Sequence, residues 1–231
     1  LAEHLERVRR GEIKRLLVLT PPRHGKTELV SRNFPAYCLA KNPNEKIIGC
    51  SYSAGLAYSI NRDVQRILST PEAQYAYPNV RIADRKNSEG KVRNSYTFEM
   101  AGYDGHYIAA GIGGSITGRG FTIGIVDDPI KNRKEAESQT VRDAVWEWWT
   151  STFLTRGEGA FAETEQGDNE ERIVVTLTPW HEDDLAGRIL KNAEETGEEW
   201  TVLRFPAMLD SEPDPTDERT EGGEPIWPCK D

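Results

Sequence analysis

The sequence predicts an α/β fold in which a mostly parallel sheet is flanked by helices. Two observations support this prediction. Short apolar runs at 15–19 and 46–51 have the length and composition of buried strands. Each run is followed by a stretch with apolar residues at helical spacing, at 26–39 and at 54–68. Because parallel strands need a crossover connection, this strand–helix–strand–helix order indicates a sheet covered on both faces.

The rest of the chain continues the pattern less regularly. Residues 71–89 are polar and broken, and the Gly-rich or acidic stretches at 111–120 and 156–171 predict loops. Pro35 lies inside a predicted helix and is expected to kink or end it. The further predicted strands are 92–100, 107–110, 121–126, 172–178 and 200–205, and the further predicted helices are 1–12, 135–154 and 184–192.

Composition limits the class of protein. The length suits one sizeable domain, with residues 1–209 as its core and the Pro-, Asp-, Glu- and Gly-rich residues 210–231 as a lid or linker. The net charge of −9 argues against a uniformly basic nucleic-acid-binding surface but leaves room for a local basic patch. No stretch approaches the roughly 20 apolar residues of a membrane span. The three cysteines lie far apart in sequence, which predicts a reducing compartment.

The most informative stretch is the loop at 20–27, between the first strand and its helix. Gly-Lys-Thr opening a helix after a buried strand is the arrangement of a phosphate-binding loop. Loop N–H groups attract phosphates, Lys26 adds a mobile positive charge, and Thr27 offers Mg²⁺ an oxygen ligand. Thr20 stands where such loops usually have glycine, so the loop is a variant. The residues expected to bind nucleotide are Pro21, Pro22, Arg23, His24, Gly25, Lys26, Thr27 and Glu28.

Nucleotide hydrolysis also needs a carboxylate at the end of a neighbouring buried strand, and Asp127 meets this requirement. Its place after the 121–126 strand predicts that it holds Mg²⁺ together with Thr27, directly or through water. Asp128 follows at once and is the candidate general base for an attacking water. The alternative is that the Asp-Asp-Pro sequence is only a strand-ending turn.

Two arginines are candidates for stabilising charge on the phosphates. Arg119 is flanked by glycines on a loop, where it is poorly placed for a fixed surface ion pair and well placed to swing onto a phosphate. Arg23 lies in the phosphate-binding loop itself. For each of them the alternative is a solvated charge or a contact with a DNA phosphate.

Three further features have both a functional and a structural interpretation. Thr176 and Thr178 end a predicted strand, where a hydroxyl can bond the γ-phosphate or the water, although threonine is also simply a good strand residue. His181 and the acidic residues after it look like a metal cluster but fit a helix start better. Three aromatic residues could stack on bases, whereas a buried helix face is favoured; they are Trp146, Trp148 and Trp149.

Several motifs together resemble the ATPase region of large terminase subunits, the DNA-packaging motors of tailed bacteriophages. These motifs are 11–27, 51–57, 113–120, 126–131 and 178–187. They follow one another in order over nearly the whole chain. The resemblance implies a P-loop NTPase core of the RecA-like (ASCE) class that uses ATP and Mg²⁺.

The resemblance also implies residue roles. Asp127 matches the metal-associated aspartate, and Asp128 stands where this family usually has a catalytic glutamate with a longer reach. Thr178 ends the motif that couples hydrolysis to movement. Arg119 falls where an arginine finger reaching a neighbour's ATP is expected, and Arg23 matches a loop arginine also proposed for that role.

The implied function is ATP-driven translocation of double-stranded DNA into a procapsid. The implied partners are double-stranded DNA, further copies of this chain in a ring on the capsid portal, and the small terminase subunit, in the bacterial host cytoplasm. Large terminases carry a nuclease domain after the ATPase region, so no nuclease activity is expected within 1–231. The alternatives are another P-loop DNA motor such as a helicase-like or recombination ATPase, a small-molecule kinase, and a nucleotide-binding scaffold.

Overall fold

The computed structural model describes residues 1–84, 91–114, 116, 118–157 and 171–207. These residues form a seven-stranded sheet with the strand order β3-β4-β2-β5-β6-β1-β7. The strands are β1 Arg15–Leu19, β2 Lys46–Ser51, β3 Thr97–Glu99, β4 His106–Gly111, β5 Ile123–Asp127, β6 Arg172–Leu177 and β7 Thr201–Arg204. All neighbours pair in parallel except β3 with β4. The predicted mostly parallel sheet is confirmed.

Helices cover both faces of the sheet. The α-helices are α1 Ala2–Arg9, α2 Phe34–Lys41, α3 Ala54–Leu68, α4 Pro71–Ala76, α5 Arg133–Ala136, α6 Gln139–Trp148 and α7 Leu185–Thr196. A π-helical segment, Thr27–Asn33, leads directly into α2. Another, Trp149–Phe153, follows α6 and passes into a single 3₁₀ turn, Leu154–Arg156.

One strand is inserted between the two that carry the candidate chemistry. β6 pairs with β1 on one side, placing Thr176 beside Val18, and with β5 on the other, placing Thr176 beside Asp127. The expectation that Asp127 ends a strand adjacent to the loop-bearing strand is therefore wrong. The inserted strand brings the ends of β1, β6 and β5 to the same edge, so that Thr178 lies between the loop and the acidic residues.

Several predicted elements differ from those observed, and the strand predicted at 92–100 is only Thr97–Glu99. Pro35 does not end its helix, because helical backbone continues from Thr27–Asn33 through Pro35 to Lys41. The broken stretch after α3 begins with the short helix α4, whose N-cap Thr70 accepts a hydrogen bond from Ala73 N. The helix predicted over 135–154 is divided, since the N-caps Asn132 and Ser138 begin two separate helices.

Two apolar cores, one on each face, enclose the sheet. Trp148 and Trp149 are buried and lie against Phe153, with ring centroids 5.4 and 5.2 Å from it. Trp146 is only partly buried at the border of this core. The buried-face interpretation is therefore confirmed for Trp148 and Trp149, which are not free to stack on bases.

Two sequence expectations fall outside the described residues. The lid or linker at 210–231 lies wholly beyond residue 207, and most of the predicted loop at 156–171 falls in the interval 158–170. In the part of the chain that the structure describes, each helix is too short or too polar to cross a membrane.

Candidate active site

Three separate loops meet at the carboxyl edge of the sheet in a small polar cluster. Lys26 Nζ lies 2.8 Å from Asp128 Oδ2 and donates a hydrogen bond to Thr178 Oγ1 at 3.0 Å. Thr178 N donates to the other carboxylate oxygen, Asp128 Oδ1, at 3.0 Å. Lys26 is 6% exposed, so its charge is held inside the protein by these two partners. We call Lys26, Asp128 and Thr178 the Lys26 cluster.

The loop before Lys26 has the backbone conformation of an anion site. Arg23 and Gly25 both have positive φ, at 65° and 80°. A Cβ at Gly25 would meet nothing within 4 Å, so glycine is needed there for the backbone angle and not for space. His24 Nδ1 lies 2.8 Å from Pro22 O, which fixes the turn from within. Successive N–H groups in such a turn converge on an anion.

Asp128 is held by its backbone in an unusual conformation. Its φ is 44°, one of two positive values among the described non-glycine residues. Its N–H donates to Thr176 O at 2.9 Å, and its carbonyl accepts from Tyr52 N at 3.2 Å. These two bonds tie the residue to the strands on both sides. The backbone thus directs the carboxylate at Lys26 and Thr178, and a strained φ of this kind is typical of functional sites.

Asp127 differs sharply from its neighbour because it is 1% exposed. Neither of its carboxylate oxygens has a hydrogen-bond partner among the described residues. Burial, and to a smaller degree the charge of Asp128, raises the pKa of Asp127 to about 6. The hydroxyls of Thr27 and Ser31 offset part of this rise, although neither stands in hydrogen-bond geometry with the carboxyl. A buried carboxylate without partners is a group that a cation would stabilise.

This raised pKa makes a prediction for metal-free protein. Folded Asp127 keeps its proton up to about pH 6, whereas the same group in the unfolded chain loses its proton near pH 4. The stability that the bound proton gives the folded state is therefore present below pH 4 and is lost as the pH rises to about 6. Asp127→Asn is neutral throughout. We therefore expect its free energy of unfolding, relative to the parent, to rise by about 3 kcal/mol from pH 4 to pH 7. Denaturant titrations at several pH values check this, and a pH-independent difference would contradict it.

The other predicted nucleotide-binding residues of the loop lie in different surroundings from Lys26. The Glu28 carboxylate lies on the helix surface, 2.8 Å from Arg32 Nη1 and 3.0 Å from Asn33 Nδ2. Arg23 is exposed at the tip of the loop. Pro21 and Thr27 are partly buried, and Pro22 is exposed. The loop side chains that face the acidic residues are therefore Lys26 and Thr27, while Arg23 and Glu28 face outward.

Arg119 lies far from this cluster, near the opposite edge of the sheet. Its Nη2 is 2.7 Å from Glu99 Oε1, and Glu99 pairs with His106 at the amino end of β4. The expectation that a glycine-flanked arginine is poorly placed for a fixed ion pair is therefore wrong. Between β4 and β5 the chain returns from the carboxyl edge of the sheet to its amino edge. Arg119 therefore lies away from the loop at 20–27 of the same chain.

The region of His181 is a helix start. Asp184 caps α7 by accepting hydrogen bonds from Ala186 N and Gly187 N, at 2.9 and 3.2 Å. His181 Nδ1 accepts from Asp183 N at 2.9 Å. Within the described ranges, no group of three or more His, Cys, Asp and Glu residues is arranged to hold a metal ion. The helix-start interpretation of this stretch is confirmed.

Comparison with known proteins decides the family. The family model described as terminase large subunit, T4likevirus-type, N-terminal, matches residues 17–222. The chain belongs to the large terminase family. This terminase chain also resembles the crystal structure of the HK97 bacteriophage large terminase, with a TM-score of 0.52 and 14% identity. That likeness confirms the predicted P-loop, RecA-like fold.

Further structural matches are weaker. The large terminase of the thermophilic bacteriophage D6E, solved with ATP-gamma-S and with ADP, matches at TM-scores of 0.45 and 0.43 and 11% identity. The terminase chain described here spans 40% of the HK97 protein and 43% and 44% of the D6E proteins, while 92% and 87% of its own length is covered. A comparison with curated protein sequences gave no match.

Sequence reasoning missed two buried hydroxyls beside Asp127. Ser51 ends β2 in register with Asp127, and Ser31 lies on the segment that covers it. Ser51 carried a weak signal, since it is the polar residue that ends a buried run. Ser31 carried none, because a serine within a helix is usually unremarkable.

Proposed function

We propose that this terminase domain is a Mg²⁺-dependent ATPase whose turnover drives double-stranded DNA into a procapsid. The observation that carries the proposal is the Lys26 cluster beside the buried, unpartnered carboxylate of Asp127. A lysine on the phosphate-binding loop and two consecutive carboxylates at the end of a nearby strand are the parts that phosphoryl transfer needs.

The residues present fit a nucleotide and a metal ion. The positive-φ turn at Arg23 and Gly25 provides the anion site for phosphates. Asp127 supplies two oxygens without partners, and the Thr27 hydroxyl on the adjoining helical segment supplies another. These are the hard oxygen ligands that Mg²⁺ prefers. When bound, Mg²⁺ would neutralise charge on the β- and γ-phosphate oxygens.

In the proposed mechanism Lys26 leaves Asp128 for the phosphates of ATP. Asp128 is then free to accept a proton from a water aligned for attack on the γ-phosphorus. Its backbone tie to Thr176 and Tyr52 keeps the carboxylate at the mouth of the site. Thr178 bonds both other members of the cluster, so it is suited to report whether Lys26 has moved.

We assign Arg119 to the active site of a neighbouring subunit. The assignment is supported by the ion pair of Arg119 with Glu99 near the amino end of β4, because Lys26 lies at the carboxyl edge of the sheet. Arg23, exposed on the loop, is the alternative arginine. An arginine supplied by a neighbour gives planar, permanent charge to the transition state only in the assembled ring.

If Arg119 acts in a neighbouring subunit, ATP turnover depends on protein concentration. Turnover per chain is expected to rise with protein concentration, and Arg119→Ala is expected to abolish that rise, with a loss of about 10³-fold at saturation. Arg66→Ala is the matched control, because Arg66 is also an exposed arginine in an ion pair, 2.6 Å from Asp63. A concentration-independent rate that Arg119→Ala lowers equally at every concentration would overturn the trans role.

The proposed partners follow from family membership. They are double-stranded DNA, other copies of this chain in a ring on the portal, and the small terminase subunit, in the cytoplasm of a bacterial host. Nuclease activity is not assigned to residues 1–231.

The deciding experiment measures Mg²⁺-dependent phosphate release with and without double-stranded DNA, followed by translocation on intact duplex. Translocation without strand separation supports the packaging motor. Unwinding of a forked duplex would indicate a helicase, and phosphate transfer to a small acceptor would indicate a kinase. Nucleotide binding without phosphate release, even in an assembled ring, would indicate a scaffold.

A further inference from the structure

A row of side-chain oxygens lies across three adjacent strands at one level of the sheet. Ser51 of β2 pairs in register with Asp127 of β5, and Asp127 pairs with Thr176 of β6. Residues paired in register across a parallel sheet point to the same face. Ser51 and Thr176 are completely buried, so the carboxylate of Asp127 has a buried hydroxyl on either side.

A further hydroxyl approaches Asp127 from the covering segment. Ser31 is 2% exposed and stands four residues after Thr27, which places both on the same side of the Thr27–Asn33 segment. This segment packs against β5, the strand that ends in Asp127. The carboxylate is therefore bordered by β2, by β6 and by the helical segment.

These buried oxygens are unsatisfied within the part of the chain that the structure describes. There, Ser31 Oγ, Ser51 Oγ, Thr176 Oγ1 and both oxygens of Asp127 have no hydrogen-bond partner. Leaving a buried polar group unpaired costs about 1–3 kcal/mol, so five in one place need a common reason. A cation that drew the Asp127 carboxylate toward it would give these hydroxyls a common acceptor, to which each could donate after a small side-chain shift. A carboxylate that accepts several such bonds is fixed in direction.

We propose that Ser31, Ser51 and Thr176 are positioning residues that orient the Asp127 carboxylate for a divalent cation. The inference rests on the proposed function, in which Asp127 is a ligand of the metal ion. It assigns the hydroxyls no direct contact with nucleotide, because they lie at the level of Asp127 and not at that of the Lys26 cluster. The sequence predicted that Thr176 contacts the γ-phosphate or the water, whereas this proposal gives Thr176 a supporting role beside Asp127.

The test measures Mn²⁺ binding to the chain in the presence of ADP by electron paramagnetic resonance, beside the Mg²⁺ dependence of ATP hydrolysis. The variants are Ser31→Ala, Ser51→Ala, Thr176→Val and Thr176→Ser. Loss of an outer hydrogen bond to a metal ligand typically weakens metal binding by 10–100-fold. We expect at least about tenfold weaker Mn²⁺ binding in the first three, while Thr176→Ser retains affinity because it keeps the hydroxyl.

Thr97→Val provides the matched control. Thr97 Oγ1 is also buried and unpartnered, but β3 is separated from β5 by β4 and β2. Its removal is expected to leave Mn²⁺ binding unchanged. ADP affinity without metal, measured in EDTA, should stay at the parent value in all variants, which separates a metal effect from misfolding.

The outcomes separate this inference from the proposed function. Parent-like Mn²⁺ affinity in Ser31→Ala, Ser51→Ala and Thr176→Val overturns the positioning role, and so does a parent complex that binds no Mn²⁺. If the parent binds Mn²⁺, loses it in these variants and yet releases no phosphate from ATP in any assembly, the positioning role stands and the ATPase function fails.

Discussion

Lys26→Ala is expected to remove both tight nucleotide binding and hydrolysis. The side chain is buried, and its Nζ is held by Asp128 and Thr178 at the carboxyl edge of the sheet, next to the loop at 20–27. A charge-assisted hydrogen bond contributes about 1.5–3 kcal/mol, so we expect ATP to bind about 10- to 100-fold more weakly. Turnover should fall by a further 10²- to 10³-fold or so, because a fixed charge at the transferring phosphate is lost.

Two measurements check this result. Titration with a fluorescent ATP analogue gives the affinity, and phosphate release at saturating ATP gives the turnover. Lys191→Ala is the control, since Lys191 is an exposed lysine on α7. Thermal unfolding of Lys26→Ala should stay close to the parent, because Asp128 retains its bond from Thr178 N. Parent-like ATP affinity in Lys26→Ala would show that the loop at 20–27 is not the phosphate site.

Asp128→Asn is expected to separate hydrolysis from binding. Asparagine keeps the shape and can still accept from Thr178 N, but it takes no proton from water. Loss of a general base typically lowers the rate by 10²- to 10⁴-fold, and we expect a loss in that range. ATP binding should persist or become a few-fold tighter, because Lys26 no longer has to leave a carboxylate 2.8 Å away.

The experiment compares ATP affinity with single-turnover hydrolysis in the parent, Asp128→Asn and Asp104→Asn. Asp104 is an exposed aspartate before β4, at the other end of the sheet, and serves as the matched control. If Asp128→Asn hydrolyses ATP at the parent rate, the base lies elsewhere. Glu135 is then the next residue to replace, because it lies in α5, the first helix after β5, and its carboxylate contacts the Asn132 side chain at 3.4 Å.

Asp128→Glu examines the position at which the resemblance to large terminases leads us to expect a glutamate. The longer side chain would extend past Lys26, whose Nζ the aspartate reaches directly at 2.8 Å. A variant with equal or higher turnover would show that the shorter carboxylate is a tolerated substitution. A large loss would show that the site has adjusted to aspartate, through the φ of 44° that sets where its carboxylate begins.

The sequence by itself determined the parts of the site that are local in the chain. Gly-Lys-Thr between a strand and a helix needs only neighbouring residues to make an anion site, so the loop at 20–27 was predictable. An apolar run ending in two acidic residues likewise predicted that Asp127 and Asp128 lie at the end of a strand. Hydrophobic periodicity predicted most strands within two residues, because burial on a sheet leaves a direct trace in sequence.

Tertiary structure alone decided how these parts meet. The insertion of β6 between β1 and β5 depends on long-range pairing that no local pattern encodes. That insertion places Thr178 within reach of Lys26 and Thr176 beside Asp127, while the pairing of β2 with β5 places Ser51 on the other side of Asp127. The ion pair of Arg119 with Glu99 was equally hidden, because it joins the end of β3 to a loop residue before β5, and only the folded sheet brings these two parts of the chain together. Short sequence motifs contain the residue types that the reaction needs, whereas strand pairing in the sheet sets the distances between those motifs.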